Sequence, residues 1–201
     1  MTDLLFATGN KGKYQEVKAI LAELPINLLM PSMIGIEKEV EEVGMSYAEN
    51  AQIKAKTLFS LSGLITIADD SGLEIEALNG APGIHSARFS PLPSASDQDR
   101  RKLLLDTLQP YPPPWKASFH CTIAIADITG KIYLTKGECS GIIINEERGE
   151  YGFGYDPIFL IPDYDLTMAE LPLDQKNLIS HRAKALIAAK PILLKLLDDF
   201  G

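Results

Sequence analysis

Apolar positions change their period repeatedly along the first hundred residues, and each change marks an element. Leu4 to Thr8, "LLFAT", is the short unbroken apolar run of a buried strand, and from Lys13 onward Tyr14, Val17, Ile20, Leu21 and Leu24 recur at helical spacing. "SYAE" announces a second helix, with Ser46 suited to cap it and Glu49 to answer as a capping box, running through "NAQIKAKTLFSL" to Gly63. The strand "LITIAD" follows. Beyond a Ser71-Gly72 break, imperfect alternation from Leu73 to Leu78 predicts a second extended piece before the turn "NGAPG". "SDQDRRKLLLDTL" reads as a capped helix and the proline cluster "QPYPPPW" as a connector.

In the second half, Ala117, Phe119, Cys121, Ile123 and Ile125 alternate with Ser118, His120, Thr122, Ala124 and Ala126 over a long strand. The turn "DITGK" and the strand "IYLTKGECSGIII" complete a long hairpin. From Ser180 to about Phe200 an apolar-rich helix follows, which Pro191 should kink or divide. Helices and strands in mixed order predict an α/β or α+β fold on a long twisted sheet, with residues 1–201 as one domain or two closely joined lobes.

Composition narrows the function more than the fold. A net charge of -8 argues against duplex DNA or an anionic membrane as partner, while a local basic pocket still suits an anionic small molecule. The opening "MTDLLFATGNKGK" carries no basic leader or cleavage site, and no window reaches the length of a membrane span, so a cytoplasmic location is expected. Cys121 and Cys139 sit in strand-like runs and suggest neither a disulfide framework nor a thiolate metal site.

Four stretches carry candidate chemistry. "TGNKGK" (Thr8, Gly9, Asn10, Lys11, Gly12, Lys13) lies between a strand and a helix, where free backbone N–H groups, the helix dipole and two lysines suit phosphate. The spacing is not that of a Walker loop, and an ordinary turn with solvated lysines accounts for the same residues. "IADDSGL" places Asp69 and Asp70 at the end of a buried strand, where two carboxylates call for a counter-ion. Oxygen-only donors point to a hard cation such as Mg²⁺, and a carboxylate there can take a proton from water. The upstream acidic run "EKEVEEVG" reads mostly as solvated surface. "GFGYDP" offers Phe153 as a stacking face between two glycines, with Tyr155 and Asp156 for base edges; a turn that finishes the core is the alternative. "KNLISHR" puts Ser180 at the cap of the last helix with His181 and Arg182 in its first turn, where cations oppose the dipole and so ask for a ligand.

Together, "TGNKGK", "AENAQIKA", "IADDSGL", "GAPGIHSARF", "FGYDPIF" and "KNLISHRAKAL", in this order along nearly the whole chain, closely resemble the Ham1/RdgB family of noncanonical purine nucleoside triphosphate pyrophosphatases, the inosine triphosphatases. The resemblance implies an elongated mixed α/β sheet with flanking helices, two lobes, a central substrate cleft and a homodimer. It implies Mg²⁺-dependent hydrolysis of ITP, dITP and XTP to the monophosphate and pyrophosphate. Carried over by motif, Thr8 to Lys13 and Lys54 hold the triphosphate, Glu42, Asp69 and Asp70 surround the metal, Asp70 takes the proton, and Ser71 contacts substrate. Phe153, Gly154, Tyr155, Asp156, Lys176, His181 and Arg182 form the base pocket. One departure is His85, where the family commonly has Tyr. The rival readings are a Maf-like pyrophosphatase of other triphosphates and a nucleotide sensor without turnover.

Overall fold

The computed structural model describes residues 1–200. The first apolar run becomes β1 (Thr2–Phe6), and Asn10 opens α1 (Lys11–Ile20) as its cap, its Oδ1 accepting the Lys13 N–H at 3.0 Å. β2 (Ile26–Leu29) pairs with β1 in parallel. α2 (Tyr47–Ser62) starts at Ser46, whose Oγ accepts the Glu49 N–H, and stops at Gly63 in the left-handed conformation. The Glu49 carboxylate answers one residue earlier than a capping box would, accepting the Met45 N–H at 2.6 Å. Next come β3 (Ile65–Ile75), β4 (Pro82–Gly83), α3 (Asp97–Leu108), β5 (Trp115–Ala126) and β6 (Ile132–Ile143). β7 (Phe159–Ile161), β8 (Leu166–Thr167), α4 (Leu173–Ile179) and α5 (His181–Phe200) complete the chain.

Three expectations change. The Ser71-Gly72 pair does not break the strand: β3 runs through it, because β4 pairs with Leu73 and Glu74 and the Ser86 hydroxyl accepts the Leu73 N–H at 2.8 Å. Pro191 does not divide the last helix, since Ala185, Ala189, Leu193 and Leu196 on one face are buried on both sides of it and offset one lost hydrogen bond. A short helix not expected from the sequence, α4, precedes the last one, so Ser180, in its expected position directly before α5, also closes α4 as its C-cap.

Among the described residues eight strands form one mixed sheet, in the order β2-β1-β3-β5-β6-β7-β8 with β4 beside β3. The chain divides into two compact units. In the first, described over residues 1–70, 121–137 and 181–200, alternate residues of β1 feed separate cores. Leu4 and Phe6 join Val17 of α1, Leu21 at its C-terminal cap, and Leu186 and Leu193 of α5, whereas Leu5 and, directly after the strand, Ala7 join Ala51, Ala55 and Leu58 of α2. β5 accordingly loses its alternation after Cys121: Thr122 to Ala126 are buried on both faces. The second unit, residues 71–120 and 138–180, builds its core from Leu73, Ile75, Trp115, Phe119, Ile158 and Phe159, with α3 seated through Leu104 and Leu108.

Candidate active site

Asp69 and Asp70 are tolerated side by side because a strand sends consecutive side chains to opposite faces. Asp69 follows Ile67 to the face of α1 and α5, and Asp70 follows Ala68 to the face of α2. Each meets cations there. Asp69 Oδ2 accepts from Lys13 Nζ at 2.9 Å and from Arg182 Nε at 3.1 Å, while Arg182 Nη1 donates to Glu16 of α1. All of Glu16, Asp69 and Arg182 are buried. Burial alone would raise the Asp69 carboxyl, but Lys13, Arg182 and Lys54 outweigh it and hold it well below the usual carboxylate range. The same pairing, with Glu16 foremost, lifts the Arg182 guanidinium against burial, so the pair is ionised throughout the physiological range.

The other face is wired differently. Asn50, fully buried on α2, accepts the Gly44 N–H through Oδ1 at 2.8 Å and donates Nδ2 to Asp70 Oδ2 at 3.1 Å. Lys54, one turn on, donates to Glu42 Oε1 at 2.7 Å and lies 3.7 Å from Asp70 Oδ1. Glu42 arrives on an extended loop that grazes α2 at Gly44, where a Cβ would stand 2.7 Å from both Asn50 Oδ1 and Glu49 Cβ; this accounts for "VG" after Glu42. Burial raises the Asp70 carboxyl, Lys54 opposes and Glu42 adds to the rise, and the net shift is upward. For Lys54 burial works downward, but Asp69, Asp70 and Glu42 prevail and keep it charged. Asp70 is thus the more basic carboxylate of the adjacent pair, on the side where a lysine and a second carboxylate gather.

The set expected around a metal is divided by this arrangement. Glu42 and Asp70 share the Lys54 ammonium, while Asp69 belongs with Lys13 and Arg182. Among the described residues no three His, Cys, Asp or Glu side chains converge as a metal cluster. Mg²⁺ commonly takes only one or two carboxylates and completes its shell with substrate phosphate and water, and Glu42 with Asp70 fits that habit. At the start of α1 the Thr8 hydroxyl accepts the Asn10 N–H at 3.1 Å, and the first internal helix bond is Tyr14 N–H to Asn10 C=O. The amides of Lys11 and Gly12 precede that bond, as an anion site at a helix end requires. Gly9, Asn10 and Lys11 are exposed, and Gly12 and Lys13 half-buried.

In the second unit, "GFGYDP" forms a turn leading into a short 3-10 helix, Asp156–Ile158. The Asp156 carboxylate is buried, and its Oδ2 accepts from Lys176 Nζ at 2.6 Å and from the Phe153 N–H at 2.9 Å. The ammonium lies 5.1 Å from the centre of the half-buried Phe153 ring. Tyr155, expected at a base edge, instead faces the core and donates its hydroxyl to Ser86 C=O at 2.9 Å; burial raises that phenol. Gly152 has φ +75°, and a Cβ there would collide with Asp156 Oδ2. Gly152→Ala is therefore expected to push that carboxylate off Lys176 and lower stability by ~2 kcal/mol, read as a Tm fall of about 4 to 8 °C. An unchanged Tm would show that the turn rearranges freely.

Arg182, expected beside a base, has its guanidinium between Glu16 and Asp69 because a fully buried cation must meet anions. His181 is buried at the first position of α5, Ser71 is half-buried on β3, and His85 is exposed. Sequence reasoning missed Asn50 and Glu16. Both had a signal: Asn50 stands four residues before Lys54 and Glu16 three after Lys13, each on the same helical face.

The Ham1 family pattern matches residues 4–192. A dITP/XTP pyrophosphatase of Geobacter sulfurreducens is 46% identical over 191 residues, covering 94% of this chain and 96% of its own. One from Desulforamulus reducens is 44% identical over 194 residues, 96% of each. Among solved structures, a HAM1 protein from Coxiella burnetii superposes with a TM-score of 0.87 at 37% identity, over 97% of this chain and 100% of that one. Together with the shared motifs, these full-length matches place the chain in the Ham1 family.

Proposed function

We propose that this protein hydrolyses noncanonical purine nucleoside triphosphates, ITP, dITP and XTP, to the nucleoside monophosphate and pyrophosphate. The observation that carries the reading is Asp70: a buried carboxylate of raised proton affinity, held by Asn50 and Lys54 beside Glu42. The full-length likeness to proteins named dITP/XTP pyrophosphatase supports the choice of substrate.

The α1 amides, Lys11, Lys13 and Lys54 take the triphosphate, with Thr8 and Asn10 fixing the loop and Ser71 as a further contact. Asp69, anchored by Arg182, holds Lys13 in place. Asp70 accepts the proton of the attacking water as the bond between the α- and β-phosphates breaks and pyrophosphate leaves. Glu42 and Asp70 would hold a Mg²⁺ ion, which would supply charge neutralisation on the phosphates and a lowered pKa for bound water. Asp69 serves this site as the anchor of its lysine.

Phe153 and Lys176 receive the base, with Gly154, Asp156 and His181 assisting. Hypoxanthine and xanthine offer a 6-keto oxygen to the Lys176 ammonium, whereas adenine offers an amino group and leaves a donor unpaired, at a cost of about 1 to 3 kcal/mol. The enzyme acts as one functional domain over residues 1–201, as a homodimer, in the cytoplasm; among the described residues no helix is long and apolar enough to cross a membrane.

Pyrophosphate release from ITP, dITP, XTP, ATP, GTP and dTTP, each with Mg²⁺ and with chelator, tests the reading. Metal-dependent release concentrated in the first three is expected. Preference for dTTP, or ITP binding without release, would overturn it.

A further inference from the structure

Gly154 has both backbone hydrogen-bonding groups taken by one helix. Its N–H donates to Asp97 Oδ2 at 2.7 Å, and its C=O accepts from Arg101 Nη1 at 2.8 Å. Asp97 and Arg101 stand one turn apart on α3 and so share a face. Each is braced in turn. Arg100 Nη2 donates to Asp97 Oδ1, and Arg101 Nη2 donates to Glu147 Oε2 at 2.8 Å. The helix beneath them is fixed by the fully buried Leu104 and Leu108 and by a capping box between Ser96 and Asp99.

Gly154 follows Phe153 directly, and Phe153 is the ring over which Lys176 lies. A helix that grips both the N–H and the C=O of the next residue leaves the ring's carrier peptide little freedom. The grip is charge-assisted on both sides: burial would raise the Asp97 carboxyl, yet the Gly154 N–H and Arg100 hold it below its usual range, so it is a full anion at neutral pH.

We propose that Asp97 and Arg101 are positioning residues for base recognition: from α3 they fix the Phe153-Gly154 peptide and so set the ring against Lys176. The proposal rests on the reading of that loop as the base site. Neither residue touches substrate in this scheme. Their loss leaves the phosphate chemistry intact and loosens the base, so the effect falls on KM and on discrimination rather than on kcat.

The test is steady-state kinetics with XTP, dITP and ATP for wild type, Asp97→Ala, Arg101→Ala, Arg101→Lys and Phe153→Ala, with a thermal melt of each. Asp97→Ala and Arg101→Ala are expected to raise KM for XTP about fivefold to tenfold, with kcat within about threefold of wild type. The preference for XTP over ATP narrows in the same variants, because the 6-keto contact with Lys176 is what the clamp aligns. Arg101→Lys recovers part of the loss, because one ammonium still reaches the Gly154 carbonyl. Unchanged KM and preference in both alanine variants, with Phe153→Ala impaired, would overturn the clamp and leave the base reading standing. A fall in Tm and kcat at unchanged KM would show a structural role alone and overturn it as well. If Phe153→Ala also leaves KM and preference unchanged, the base reading fails and takes the clamp with it.

Discussion

Asp70→Asn is expected to lower kcat for XTP by about 10² to 10⁴ while leaving the protein as stable as wild type or more so at neutral pH. The two effects have one cause. An Asn is isosteric and keeps an oxygen for the Asn50 amide that Asp70 now accepts at 3.1 Å, so the packing around α2 survives. What disappears is the group that takes the proton. The stability sign follows from linkage: a carboxyl raised in the folded state binds its proton more tightly there than in the unfolded chain, so ionising it above the unfolded pKa costs stability. Asn removes that cost. Single-turnover kinetics with saturating XTP and Mg²⁺, alongside melts in chelator, read both halves. Turnover at the wild-type rate would remove Asp70 from the chemistry, and a large fall in Tm would show that the ionised carboxylate holds the fold.

Local elements were legible because their signals are local. Asn10, Ser46 and Gly63 lie at the ends of the helices that they bound, and Ala117, Phe119 and Cys121 show their shared face within five residues. β3 misled because the partners that carry it past Gly72 lie on another segment: Gly83 pairs with Leu73, and Ser86 accepts its amide. The four chemical stretches stand out because each is a local departure from pattern, and each carries a member of an ion pair in the structure. How they are wired was not readable. Arg182 meets Asp69 across 113 positions, and Gly154 meets Asp97 across 57, distances at which no periodicity speaks. Hence adjacent aspartates read as one paired site, although the strand's alternation alone separates them, one toward Arg182 and one toward Lys54.

Arg182→Met is expected to destabilise the protein by about 3 to 5 kcal/mol, the scale for removing one partner of a buried ion pair. Methionine fills most of the volume, so the loss reports charge rather than a cavity. Glu16 and Asp69, both buried, would then face each other's field, with Lys13 still paired to Asp69. At about 2 to 4 °C per kcal/mol for a chain of this size, Tm falls by at least 6 °C. The pH dependence identifies the cause. In wild type the Asp69 carboxyl is depressed on folding, so its contribution is complete above the unfolded carboxylate range, near pH 4, and drains away as pH falls through the folded value. In the variant that depression is weakened, and the gap between the two proteins therefore narrows as pH drops below about 4. A second substitution gives the same answer by subtraction. Glu16→Gln together with Arg182→Met should be less damaged than Arg182→Met alone, because one of the two stranded carboxylates is gone. Additive losses, or a gap that widens in acid, would mean that the Arg182 stem rather than its charge is what the fold needs.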